Sequence, residues 1–294
     1  MIGMNMKQLT FNIVMMAFAV ITLTACEKAI APENRPEGNV TLHFSMTNAD
    51  AQTRALSTSY FNKLNVMLFD SDGNRVFDKV RTQTASDDDF LQMSMKLSEG
   101  TYWVVAVGHS SKNSATIKSI EAVQFTASEG EKLTDTFCHC SQITVSGSSA
   151  NFTLPMYRAG AMIQFVLTDM QVPNNFAYFL MEYTGGSANF NPSTLEGITK
   201  STQSERRIRN SLNTHQAYTF PYMAASCQLK ITVSALDAEG TVIRKRTFDD
   251  VPVTRNRITT YTGKFFEDGD GQFTQSDFGF VVHSDWDGES HYEF

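Results

Sequence analysis

Cys138-His139-Cys140 is the stretch whose residue types could do chemistry, since thiolates and an imidazole are what a zinc ion takes. In an extended strand, however, Cys138 and Cys140 share one face while His139 points to the other. Structural zinc sites use four ligands, and only the distant Cys227 could extend the thiolate set. Cys138, Cys140 and Cys227 therefore read as buried thiols, and their odd number does not suit a disulfide framework. Two acidic stretches invite calcium. Asp70-Ser71-Asp72-Gly73 lacks a closing Glu at the required spacing, and in a loop begun at Asp268 the glycine position falls on Phe273. Both read as turns between strands. A Gly-x-Ser-x-Gly elbow, a His-Glu-x-x-His helix and a phosphate-cradling glycine loop are all missing. The carboxylates are too scattered to nominate an acid/base pair. The expectation is no catalytic residue, no metal and no cofactor.

Cys26 carries a different chemistry. It closes Leu23-Thr24-Ala25-Cys26 at the end of an apolar run from Phe11, broken by Asn12 and Thr22 and preceded by Lys7. A charged start, a short apolar core and small residues describe a secretory leader, too short for a stable membrane span. The four residues resemble the lipobox of bacterial lipoproteins. That resemblance implies cleavage before Cys26, a diacylglyceryl group on its sulfur, and a protein held at a membrane by several acyl chains. Residues 1–25 are thus read as leader and 26–38 as a tether, with Pro32, Pro36 and five charged residues after Cys26.

The remaining 269 residues suffice for two domains. Loss of Lys7 with the leader moves the formal net charge from −7 to −8. An acidic chain with no basic cluster is a poor partner for nucleic acid. Strands must supply the scaffold. In Val40-Thr41-Leu42-His43-Phe44-Ser45-Met46 apolar and polar residues alternate, which describes a half-buried strand with His43 on its solvent side. Leu64–Phe69, a restart at Arg75–Phe77, Leu91–Leu97 and Ile143–Val145 read likewise, as does Phe152–Met156. Tyr102–Val107, with Trp103, is apolar on both faces and so central. A helix is expected around Ile117–Phe125. After a boundary between residues 156 and 157 come Ala161–Leu167, Tyr178–Tyr183, Cys227–Ala235, Thr241–Phe248 and Ile258–Phe266. Residues 185–215 read as irregular, with Arg206, Arg207 and Arg209 on a short helix at most. The pattern predicts an all-β chain of two packed Greek-key β-sandwiches, 39–156 and 157–294.

Several of these stretches together resemble the fimbrillin superfamily of Bacteroidales and its anchor or accessory subunits. The carriers are the lipobox at Cys26, the strand from Val40, Leu64–Gly73, Gly100–Val107, Met156-Tyr157-Arg158-Ala159, Val251–Asn256 through Gly263, and the tail Asp285–Phe294. The resemblance implies transthyretin-like sandwiches and export to the outer membrane, with lipidated Cys26 as the anchor. Its implied partners are other fimbrial subunits, joined by β-strand addition. In stalk members an arginine-specific protease removes the N-terminus with the first strand, and a neighbour's strand fills the groove. Here Arg54 follows the strand of Val40, Leu42, Phe44 and Met46, whereas Arg35 is followed by Pro36. Anchor-type members keep both lipid and strand, and that role is the expectation. Alternatives are a stalk subunit cleaved after Arg54, or a surface glycan-binding lipoprotein using Trp286, since Trp103 reads as core.

Overall fold

The computed structural model describes residues 38–46, 60–126, 132–209 and 214–267, with the backbone of Phe278–Gly279. Cys26, Arg54, the loop 268–277 and Trp286 lie outside the described residues. Every named element is a strand. Along the chain run β1 (Val40–Met46), β2 (Lys63–Phe69), β3 (Arg81–Thr84), β4 (Gln92–Met95), β5 (Gly100–His109), β6 (Thr116–Ser119), β7 (Ala122–Gln124), β8 (Phe137–Val145) and β9 (Ala150–Arg158). There follow β10 (Ala161–Leu167), β11 (Tyr178–Thr184), β12 (Asn189–Phe190), β13 (Gln203–Ile208), β14 (Thr214–Thr219), β15 (Ser226–Leu236), β16 (Val242–Thr254), β17 (Ile258–Gly263) and β18 (Phe278–Gly279). The chain is all-β, as its periodicity predicts.

One strand order occurs twice. In the first half β1 lies between β9, to which it is parallel, and antiparallel β4. In the second, β10 lies between parallel β17 and antiparallel β14. The facing ladder β3-β2-β5-β8 is matched by β13-β11-β15-β16. The halves differ at their last long strand. β9 pairs with β1 through residues 150–156 and then with β8 at Tyr157 and Arg158. That crossing joins both layers into one seven-stranded sheet, β3-β2-β5-β8-β9-β1-β4, whereas β14-β10-β17-β18 stays a separate four-stranded sheet.

Three cores follow from the alternation. Val40, Leu42, Phe44 and Met46 of β1 enter the first core with Val104 and Ala106 of β5. Val105 and Val107, on the opposite face of β5, enter another core with Met67, Ile117, Phe190 and Phe220. A strand apolar on both faces is thus buried on both. Ile163, Phe165, Met181, Tyr183 and Tyr261 belong to the core of the second half. Contacts group Gly38–Phe294 as one compact unit.

Three expectations need correction. No helix covers Ile117–Phe125: β6 and β7 pair there, and with β12 they form a small sheet. Buried Ile117, Val123 and Phe125 are spaced by even numbers of residues, which is strand periodicity. Arg75 makes only an isolated bridge to Phe69, and the strand that returns along β2 is β3. Residues 185–215 contain β12, β13 and the start of β14. Arg206 and Arg207 stand on β13, whose inward face is the polar set Gln203, Glu205 and Arg207.

Candidate functional site

The groove that β1 fills is built from both neighbours. Val40, Leu42, Phe44 and Met46 are each at most 8% exposed, and every second side chain of the strand is buried. On the β9 side they stand opposite Ala150, Phe152, Leu154 and Met156. On the β4 side Val40 and Leu42 stand opposite Met95 and Met93, and Thr41 Oγ1 lies 3.1 Å from Ser94 Oγ. Asn39 pins the strand's entry: its Nδ2 donates to Leu97 O at 2.7 Å, while Leu97 N donates to its Oδ1 at 2.8 Å. Gly38 is required by contact, since a Cβ there would meet Met95 N at 2.5 Å. His43 is half-buried on the opposite face and pairs with Gln92.

The cysteine constellation comes apart as its spacing predicts. Cys138 is fully buried in the core shared by β5 and β6, and Cys140 packs against the same core. His139 faces away, its Nδ1 2.8 Å from Pro155 O and its Nε2 2.7 Å from Ser141 Oγ. Cys227 packs instead against the core of the second half. Burial pushes all three thiols up, so they are protonated at neutral pH. Asp70 accepts from Asn74 N at 2.8 Å and Asp72 N at 3.0 Å, a turn whose hydrogen bonds hold the carboxyl below its usual range. Trp103, expected in the core, packs against it but is only half-buried, because it lies in the part-exposed first half of β5.

The sequence reading missed the junction of the halves. Arg158, at the end of β9, donates through Nε to Asp135 Oδ1 at 2.9 Å and through Nη2 to Oδ2 at 2.9 Å. Its Nη1 donates to Asn256 Oδ1 at 3.0 Å, and Asn256 N donates to Gly160 O at 2.9 Å. Burial raises the Asp135 carboxyl even against the lowering by Arg158. Glu205 on β13 accepts from Leu133 N at 3.2 Å and lies 3.3 Å from Arg207 Nη1. Lys132 Nζ donates to Gln203 Oε1 at 3.0 Å. Arg158 and Asn256 both lie in stretches that carry the family resemblance, but their partners are remote in sequence.

A groove holding the first strand and a polar clamp between two halves of like strand order define an all-β strand-sandwich protein. The chain belongs to the family described as "Family of unknown function (DUF6562)", whose model matches residues 32–293. A comparison with curated proteins found no match. Among solved structures, the chain is similar to a candidate polysaccharide-binding protein of Bacteroides thetaiotaomicron: 12% identity, TM-score 0.51, covering 84% of this chain and 96% of that one. It is also similar to a candidate adhesin of Bacteroides ovatus, with 14% identity, TM-score 0.49, and 85% and 96% covered. A fimbrial assembly protein of Parabacteroides distasonis matches with 14% identity, TM-score 0.42, and 84% and 95% covered. The first of these is a likeness of fold.

Proposed function

We propose that this protein is a non-enzymatic cell-surface subunit of fimbriae, anchored in the outer membrane through acylated Cys26 and joined to other subunits by β-strand addition. One observation carries the reading. The first strand is the filling of a groove, with Val40, Leu42, Phe44 and Met46 buried between β9 and β4. Each such side chain contributes about 1.5–3 kcal/mol when fully covered. Removing β1 would open an apolar groove and two unpaired strand edges, which only an incoming strand could cover. The repeated strand order supports reading 39–156 and 157–294 as two sandwich domains. Resemblance to fimbrillins over most of the mature chain supports the fimbrial role. The likeness to a protein named for polysaccharide binding is one of fold, and fold alone does not assign that binding here.

In this reading the protein is an anchor or accessory subunit that keeps both lipid and β1. Strand loss at the membrane end would detach the anchor and expose the groove. The mature N-terminus decides. Mass spectrometry of the protein from its native cells is expected to find acylated Cys26 as the dominant first residue. A dominant chain starting at Ala55, without acyl mass, would make it a polymerising stalk subunit cleaved after Arg54. An unmodified start near Cys26 would remove the lipid anchor from the proposal, and absence from purified fimbriae would remove the fimbrial role.

A further inference from the structure

A cleft of about 1150 Å³ lies at the junction, lined by residues of both halves. Tyr60, Asn62, Ser110 and Lys112 come from the first half, and Arg206 and Tyr218 on β13 and β14 from the second. Its lining carboxylate, Asp135, is held by Arg158, which donates to both carboxylate oxygens. Arg207 is engaged by Glu205 and donates through Nε to Gln216 O at 2.6 Å. Lys112 and Arg206 are different: both are exposed, and neither side chain has a hydrogen-bond or ion-pair partner among the described residues, although Lys112 O accepts from Lys63 Nζ at 2.6 Å. Arg206 lies over the ring of Tyr178, 3.8 Å from its centroid. Such stacking holds a guanidinium plane in place while leaving its N–H edge available. In a chain of formal net charge −7, this cleft has a local surplus of positive charge.

The rest of the lining narrows the ligand. Asn62, Ser110 and Thr134 bring amide and hydroxyl groups, and Tyr60 and Tyr218 bring rings. His215 borders the same cleft, is 2% exposed, and has neither ring nitrogen hydrogen-bonded. Its ring packs against Phe176 and Phe179 on the core side of β14, out of reach of a ligand in the cleft. Hydroxyl partners, ring faces and two available cations match a sugar chain carrying carboxylates better than a nucleotide or an apolar molecule. We propose that the junction cleft, with Lys112 and Arg206 as its anion-binding pair, binds a carboxylate-bearing oligosaccharide.

This site includes no residue of β1, so its failure is separable from that of strand addition. The test is calorimetric titration of the mature full-length chain with trigalacturonate and with sialyllactose. Galactotriose serves as neutral control and a hexaglutamate peptide as control for charge alone. At least one acidic sugar is expected to bind at least about tenfold more tightly than either control, and more weakly as salt rises. K112E/R206E should abolish that binding while leaving the thermal midpoint unchanged, because both side chains are exposed. Should K112E/R206E fold poorly, K112Q/R206Q replaces it with the same expected loss. Failure of both acidic sugars to bind overturns the proposal, as does equal binding of galactotriose. Equal binding of hexaglutamate would assign the cleft to acidic peptides, and undiminished binding by the variant would move the site elsewhere.

Discussion

The first strands of the two halves occupy the same place and are connected to the chain differently. Both β1 and β10 lie between a parallel last strand and an antiparallel neighbour, and both bury an apolar face. β10 is tied to β9 by Ala159 and Gly160 alone, beside the Arg158–Asp135–Asn256 clamp. β1 is followed by thirteen residues, including Arg54, before Tyr60. One topology therefore carries a short link to the preceding strand in one half and a long following connection in the other. The lesson concerns connection rather than packing: the burial of β10 is at least as complete as that of β1.

The largest effect should come from breaking the comparison outright. A chain lacking residues up to Met46 is expected to lose cooperative thermal unfolding of the first half, and an added Val40–Met46 peptide should restore it. A peptide of β10 added to a chain with Phe165→Asp should restore nothing, because the faulty strand remains covalently in its slot. If both peptides rescue, connection does not distinguish the halves. Next comes the clamp. Arg158→Ala leaves Asp135, whose side chain is only 17% exposed, without its partner and should cost about 3 kcal/mol in denaturant unfolding.

The buried histidines sharpen the contrast at smaller scale. His109 of the first half is satisfied: its Nε2 lies 2.8 Å from Asn65 Oδ1, and its Nδ1 accepts from Ser111 N at 3.1 Å. His215 of the second sits against Phe176 and Phe179 with both nitrogens unpartnered. H109F should therefore destabilise, and H215F stabilise, each by about 1–3 kcal/mol at pH 7. Burial, with Arg207 adding to it, pulls the His215 pKa down to about 4 from the ordinary 6.5. Between those values the unfolded chain binds more protons, so stability falls as pH drops from 6.5 towards 4. Stability measured against pH should lose part of that slope in H215F; an unchanged slope would remove His215 as its source. The smallest effect belongs to the exposed Lys230–Asp249 pair at 2.7 Å, where Lys230→Ala should change stability by no more than about 1 kcal/mol.

The sequence was legible where one face of a strand is apolar and the other polar. β1 and β4 announced themselves by alternation, and β5 by being apolar on both faces. β13 was not legible, because its inward residues Gln203, Glu205 and Arg207 are polar and meet Lys132 and Leu133 rather than a core. β6 and β7 are short, and the pairing of β7 with β12 reaches across more than sixty residues of chain. At the clamp, Arg158 and Asn256 are 98 positions apart, and no local spacing marks such a pair. The cleft suffers likewise: Lys112 and Arg206 each look like solvated charge until the fold brings them to one opening.

The parallel register of β1 on β9 also has a mechanical meaning. Seven residue pairs, from Val40–Ala150 to Met46–Met156, lie side by side along a common direction. A pull entering at Gly38 along that direction strains the whole row of hydrogen bonds at once, in shear, instead of peeling them singly. Beyond Met156 the same β9 backbone continues beside β8 and ends at the Arg158 clamp. Tension applied to the first strand is thereby shared across the width of the seven-stranded sheet and handed to the second half. Tugged from its N-terminal end, the protein would resist most strongly along the axis of its first strand.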